Sequence, residues 1–366
     1  MLKFKEFTEW LNEADLGSSV TRLQNALTIV NNVDDTSKLH IKTKIDDTTE
    51  YIERFEEISD IRKVFVETKG FSDADFEKIK NIIQKDSTES LTALVDYLKS
   101  PYDISYFTAV DKTTDLPKKM SKDTKISENI LKAIFSMEGN LKSGKGVGRG
   151  ELFLGLFVNS AANSAQGDVN VGGKKYEVKA KSARLNTQNG FGQGESAMIT
   201  FLNSINSISP TLSDKYSKLK VQTYNLNQRG SSFYDLFIDA AKEKCLDQIF
   251  DLMANNLFCG PIGIWKNGDA KLKLEIIKTL RKNVKPNGSC DTDGLNYGLM
   301  NINIQYYRAI EWFEGIFLID PTNGNFAFFN PDDKKMGEKW LSINTKYTQP
   351  SWQDAPTSNC WKISLK

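Results

Sequence analysis

Two alternating runs, Asp168 to Val171 and Lys174 to Lys181, flank the pair Gly172-Gly173. A double glycine between alternating segments is a strong signal for a two-residue hairpin loop. Counting outward from the glycines pairs Val171 with Lys174, Asn170 with Lys175, Val169 with Tyr176 and Asp168 with Glu177. Side chains alternate along a strand, so Asp168, Asn170, Lys175, Glu177, Lys179 and Lys181 share one face. Val169, Val171, Tyr176, Val178 and Ala180 share the other, the face expected to be buried. A four-residue loop would keep these faces, because parity is preserved. Two acidic residues directly across a ladder have Cβ atoms about 5 Å apart, and their carboxylates repel unless something positive sits between them. A divalent cation suits that position, since Mg²⁺ takes one or two carboxylates with waters and phosphate oxygens. Lys179 adds an ammonium able to orient a water beside the metal. Metal, water and lysine together make a hydrolytic site for a phosphodiester.

Other elements must hold this hairpin in place. ISENILKAIFSMEG reads as a helix. The glycine run Gly144, Gly146, Gly148 and Gly150 follows, as a flexible lead into a second helix, ELFLGLFVNSAANS, with Glu151 in its first turn. The run lacks the Gly-x4-Gly-Lys-Ser/Thr spacing of a nucleotide phosphate loop and has no clear dinucleotide-binding pattern. KLKVQTY reads as a strand, and FYDLFIDAAKEKCLDQIFDLMANN as one long amphipathic helix. GIFLID and NFAFFN flank Pro321 to Gly324 as a second hairpin with an Asn-Gly turn. Helices and strands alternate in no strict order, so the core is expected to be α/β or α+β with a mixed sheet.

Asp168 followed by Glu177-Val178-Lys179 resembles the site of the PD-(D/E)xK nuclease superfamily, the fold of many restriction endonucleases. The resemblance spans about residues 126–225 and is strongest over 151–181; Gly167 stands where many members have proline. It implies a restriction-endonuclease-like mixed sheet flanked by helices. It implies Mg²⁺, with Mn²⁺ as a substitute, held by Asp168, Glu177 and a further helix acid, here Glu151. With Lys179 positioning the attacking water, the implied activity is metal-dependent hydrolysis of DNA. Many relatives dimerise to cut both strands, so a homodimer is compatible but not required. A phage structural or DNA-binding protein on a degenerate nuclease core is the alternative.

Charge supports a nucleic-acid partner locally, not globally. The 366 residues carry 48 basic and 47 acidic side chains, a net +1 that rules out binding nucleic acid by overall charge. Residues 142–184 hold eight basic side chains against three acidic ones. Those acids are the three proposed metal ligands. Lys145, Arg149, Lys175, Lys181, Arg184 and Gln188 are the candidate DNA contacts. A merely mobile loop over 182–196, or an ordinary solvated basic face, would look the same.

His40 is the single histidine, which excludes His-rich zinc sites and makes a Ser-His-Asp triad improbable. Cys245, Cys259, Cys290 and Cys360 form no CxxC pair and read as buried, reduced thiols. No run of about 18 apolar residues suggests a membrane span. The aromatics Trp312, Phe313, Phe317, Phe326, Phe328 and Phe329 read as core.

Residues 1–125 read as a helical, highly charged N-terminal region, joined by the Lys/Asp/Thr-rich linker 111–125 to a nuclease domain with a C-terminal extension over 126–366. Ser72 with Asp75 opens one helix as a capping box, and SLTALVDYLKSP forms another. MLKFKEFTEWLNEA resembles the capsid-targeting peptides of large tailed bacteriophages, which are cut after a Leu-x-Glu site; Leu11-Asn12-Glu13 fits, giving a cleavable segment 1–13. That resemblance implies a protein of the bacterial host cytoplasm, packaged in the virion.

Overall fold

The computed structural model describes residues 56–109, 113–162, 168–180, 183–185, 192–226, 230–330, 345–348, 352 and 360–365. The expectations for segment 1–13, His40, Lys181 and Gln188 lie outside them. The chain forms two compact units, one from the described parts of 1–104 and 115–163, the other from those of 105–114 and 164–366.

The first unit is mainly helical. It contains α1 (56–68, π-type over Lys63–Thr68), α2 (Asp73–Ile83), α3 (Thr88–Lys99), α4 (Leu116–Thr124), α5 (Glu128–Ser136) and α6 (Glu151–Phe157). The expected cap at Ser72 forms, with its hydroxyl accepting from the Asp75 N–H. The return arm differs from a capping box. Asp75 is buried, and its Oδ2 accepts from the Ser72 hydroxyl and the Asn140 N–H. The Ser72 N–H goes instead to the Asn140 carbonyl. Asn140 belongs to a small ribbon, β1 (Gly139–Asn140) paired antiparallel with β2 (Gly146–Val147), so the glycine run is ordered and not a flexible lead. Gly144, at φ +84°, turns the ribbon. Residues 116–124 of the segment read as a linker form α4: Asp115 caps it, Pro117 fits its first turn, and Leu116 and Met120 are buried.

The second unit holds a mixed sheet. Its central strands are β3 (Val169–Val171), β4 (Lys174–Ala180), β6 (Gly315–Asp320) and β7 (Asn325–Phe329), adjacent in the order β7-β6-β4-β3. The register of β3 on β4 is the one counted from the sequence: Val169↔Tyr176, Asn170↔Lys175, Val171↔Lys174. Gly172 and Gly173 both have positive φ, +58° and +82°, as a type I′ loop requires. β4 then runs parallel to β6, with Glu177 beside Ile316 and Lys179 beside Leu318. The second expected hairpin is also present, with Asp320 opposite Asn325 around Pro321–Gly324. A smaller antiparallel sheet joins β5 (Ala183–Arg184), β8 (Thr345–Thr348) and β9 (Lys362–Leu365).

Paired residues share a face, so Glu177 and Lys179 lie on the side of Ile316, Leu318, Ala327 and Phe329. These four residues belong to the main core of this unit. Tyr176, Phe317, Phe326 and Phe328 pack on the opposite side, with ring centroids 4.9 to 6.3 Å apart. Val169, Val171, Tyr176 and Val178 are buried as expected, whereas Ala180, the last residue of β4, is exposed.

The helices of this unit are α7 (Gly194–Ser204), α8 (Pro210–Tyr216), α9 (Ser232–Lys242), α10 (Leu246–Leu252), α11 (Ala270–Asn283) and α12 (Thr292–Glu311). Two sequence expectations fail here. KLKVQTY is no strand: Val221–Thr223 is a 3₁₀ turn, which brings the buried Val221 and Tyr224, three residues apart, to one side. The single long helix is broken between α9 and α10 at Lys244, which adopts a left-handed φ of +58° without any glycine to announce it. Beyond α10 the chain continues as a π-type segment, Met253–Phe258. Among the C-terminal aromatics Trp312 is the exception, 79% exposed. The next residue, Phe313, takes the core position, 5.4 Å from the Tyr307 ring.

Among the described residues no helix is long and apolar enough to cross a membrane. The four cysteines are free; Cys245, Cys259 and Cys360 are buried. Burial pushes the thiols of Cys259 and Cys290 up to about 12. The thiolate is the reactive form, so at pH 8 these groups stay protonated and inert. Native protein is therefore expected to react slowly with a thiol reagent such as DTNB at pH 8, releasing all four equivalents only on unfolding; rapid labelling of the native form would contradict this burial. Lys244→Gly removes a left-handed strain of about 1 kcal/mol, partly offset by extra freedom in the unfolded chain. It should raise the urea midpoint, and a fall would show that the Lys244 conformation is not the native one.

Candidate active site

The hairpin brings three of the four expected catalytic residues into one cluster. Asp168 lies immediately before β3 and is not itself a rung of the ladder. Its Oδ2 accepts the Val178 N–H at 2.7 Å, so a carboxylate stands where a backbone carbonyl would otherwise close the pair. Glu177 is 5% exposed, although charged residues avoid burial unless paired. Lys179 supplies the pairing. Its Nζ lies 2.6 Å from Glu177 Oε2 and 3.8 Å from Asp168 Oδ2. The positive group between the two carboxylates is therefore the lysine of the same motif.

The charged face of the hairpin is partly covered, and α12 covers it. Tyr307 is 3% exposed, and its hydroxyl donates to Glu177 Oε2 at 3.1 Å. Its ring centroid stands 5.9 Å from Lys179 Nζ, within cation–π range. Burial disfavours a charged Lys179, but Glu177, Tyr307 and Asp168 outweigh it and hold its pKa above the ordinary lysine value. Burial also raises the Tyr307 hydroxyl, so it stays a donor at neutral pH. Lys179 is thus an ammonium: it can donate to a water or a phosphate oxygen but cannot take up a proton.

Tyr307 was not among the residues singled out from the sequence. It lies 130 positions from Glu177, and no local spacing links them. One signal was present: Leu295, Leu299, Asn303, Ile304 and Tyr307 form the buried face of α12. A tyrosine on such a face needs a partner for its hydroxyl.

Glu151 belongs to the first unit. It opens α6 after Gly150 at φ +77°, and Leu152 to Phe157 behind it are buried. Its carboxylate folds back over Gly148, where a Cβ would stand 2.5 Å from Oε1. Among the described residues no group of three or more His, Cys, Asp or Glu side chains is placed to hold a metal ion. What the second unit offers is two carboxylates and an ammonium. Hard oxygen donors of that charge fit a hard divalent cation with waters completing its shell.

The expected DNA contacts fall in both units. Lys145 is exposed on the β1–β2 ribbon. Arg149 is exposed but pairs with Glu138 at 2.8 Å, a residue outside the basic window. Lys175 is half-buried on β4, two residues before Glu177, and its carbonyl accepts the Glu314 N–H. Arg184 is exposed on β5. No family model, no curated protein and no solved structure matches the chain.

Proposed function

We propose that the protein is a Mg²⁺-dependent endonuclease that hydrolyses DNA phosphodiester bonds at a PD-(D/E)xK-type site. The observation that carries this reading is the convergence of Asp168, Glu177 and Lys179 on one hairpin, with Lys179 Nζ within 4 Å of both carboxylates. Such a donor set is costly to fold. Two carboxylates beside a half-buried ammonium contribute little stability beyond hydrophobic residues of the same volume. A pair of titratable groups with a perturbed partner is therefore a reasonable marker of function.

A divalent cation, when bound, would supply a more acidic water and a counter-charge for the scissile phosphate. Asp168 and Glu177 would hold it. The Val178 N–H fixes the Asp168 carboxylate, so one ligand is oriented by the backbone itself. Lys179, protonated, donates to the attacking water or to a phosphate oxygen as negative charge grows there. Within the same unit, Lys175 and the exposed Arg184 would contact the phosphate backbone. The context in this reading is a tailed phage, the protein packaged through segment 1–13.

A second reading has one observation in its favour. Lys179 already compensates both carboxylates without a metal, as it would in a non-catalytic DNA-binding or phage structural protein. A cleavage assay separates the two. With Mg²⁺, purified protein should nick or linearise plasmid DNA, and EDTA should stop it. Asp168→Asn, which keeps an acceptor for the Val178 N–H, and Lys179→Ala should each lower the rate about 10²-fold or more. Circular dichroism checks that the fold persists. Full activity in both variants would eliminate the assignment, and a wild-type protein inert with Mg²⁺ and Mn²⁺ would favour the second reading.

A further inference from the structure

The two oxygens of the Glu177 carboxylate are held differently. Oε2 takes two donors, Lys179 Nζ at 2.6 Å and the Tyr307 hydroxyl at 3.1 Å, while among the described residues Oε1 takes none. A carboxylate gripped at one oxygen from two directions cannot rotate freely about its last torsion. The second donor is also placed rigidly. Tyr307 is buried against Phe313. One turn earlier Asn303 accepts from the Trp265 indole N–H at 2.9 Å and donates to the Leu185 carbonyl at 3.3 Å. Residues four apart on a helix share a face, so the same face of α12 clamps both Glu177 and the chain just beyond β5. A hydroxyl differs from a second lysine in one useful way: it orients the carboxylate without cancelling its charge.

We propose that Tyr307 is a positioning residue: with Lys179 it commits Glu177 Oε2 to the protein and leaves Oε1 as the oxygen offered to a divalent cation. The inference rests on the metal-site reading above and adds to it a residue from outside the motif. Groups that orient metal ligands through hydrogen bonds are worth about 10–100-fold in metal affinity or activity.

The test uses the full chain and Mn²⁺, whose free ion is counted directly by electron paramagnetic resonance. Tyr307→Phe keeps the ring and its packing and deletes only the hydroxyl; Tyr307→Leu deletes the ring as well. Tyr307→Phe should weaken Mn²⁺ binding about tenfold or more with the urea midpoint little changed. Tyr307→Leu should lose the same affinity and also lower the midpoint. In cleavage assays Tyr307→Phe should need more Mg²⁺ for half-maximal rate, with the rate at saturating Mg²⁺ less affected. Mn²⁺ affinity in Tyr307→Phe equal to wild type, or a wild type that binds no Mn²⁺, would overturn the proposal. Hydroxyl-dependent Mn²⁺ binding without any DNA cleavage would sink the nuclease reading alone and leave the positioning role standing.

Discussion

A carboxylate that is 5% exposed in the middle of a sheet sets the terms for the second unit. Desolvating an ion costs several kcal/mol unless partners replace the lost water. Glu177 finds those partners in Lys179, two residues along its own strand, and in Tyr307, on a helix far away in sequence. Each partner is constrained in turn. Lys179 needs the strand alternation that puts it on the same face. Tyr307 needs α12 packed into the core that also holds Ile316 and Leu318, the residues beside Glu177 and Lys179 on β6. The charged cluster and the apolar core are thus one packing problem, since the face that buries the core helix is the face that carries the acid.

The same arrangement explains how a hairpin so short can hold functional groups in place. A two-stranded ribbon alone is marginally stable in water. Here β4 gains a parallel partner, β6, which a second hairpin fastens to β7. Asp168 adds a side-chain rung at the open end. The site therefore sits on the inner strand of the group and not on a free ribbon, as a site needing sub-ångström placement of its ligands requires.

The hairpin was legible because its determinants are local. Gly172-Gly173 defines the loop, alternation defines the faces, and the three strand pairings follow by counting. The second hairpin was legible for the same reason. What escaped depends on distant contacts. Burial of Glu177 requires α12, and nothing near Glu177 names Tyr307. Lys244 breaks a helix at a residue with no left-handed preference, because the buried faces on either side of the break pack around one core. α4 was hidden by a composition of Lys, Asp and Thr that reads as linker, although Asp115 and Pro117 are sound helix-start residues. Trp312 reads as core by its type, yet it sits one step past the end of α12, at φ +53°, where Phe313 has already filled the pocket.

The most direct measurement is anomalous difference density from crystals grown with Mn²⁺ and a short DNA duplex. The account predicts a peak within about 2.5 Å of carboxylate oxygens of both Asp168 and Glu177, with a phosphate oxygen on the same ion. An empty cluster, with Lys179 still bridging the two carboxylates at saturating Mn²⁺ or with the metal bound elsewhere, would contradict it.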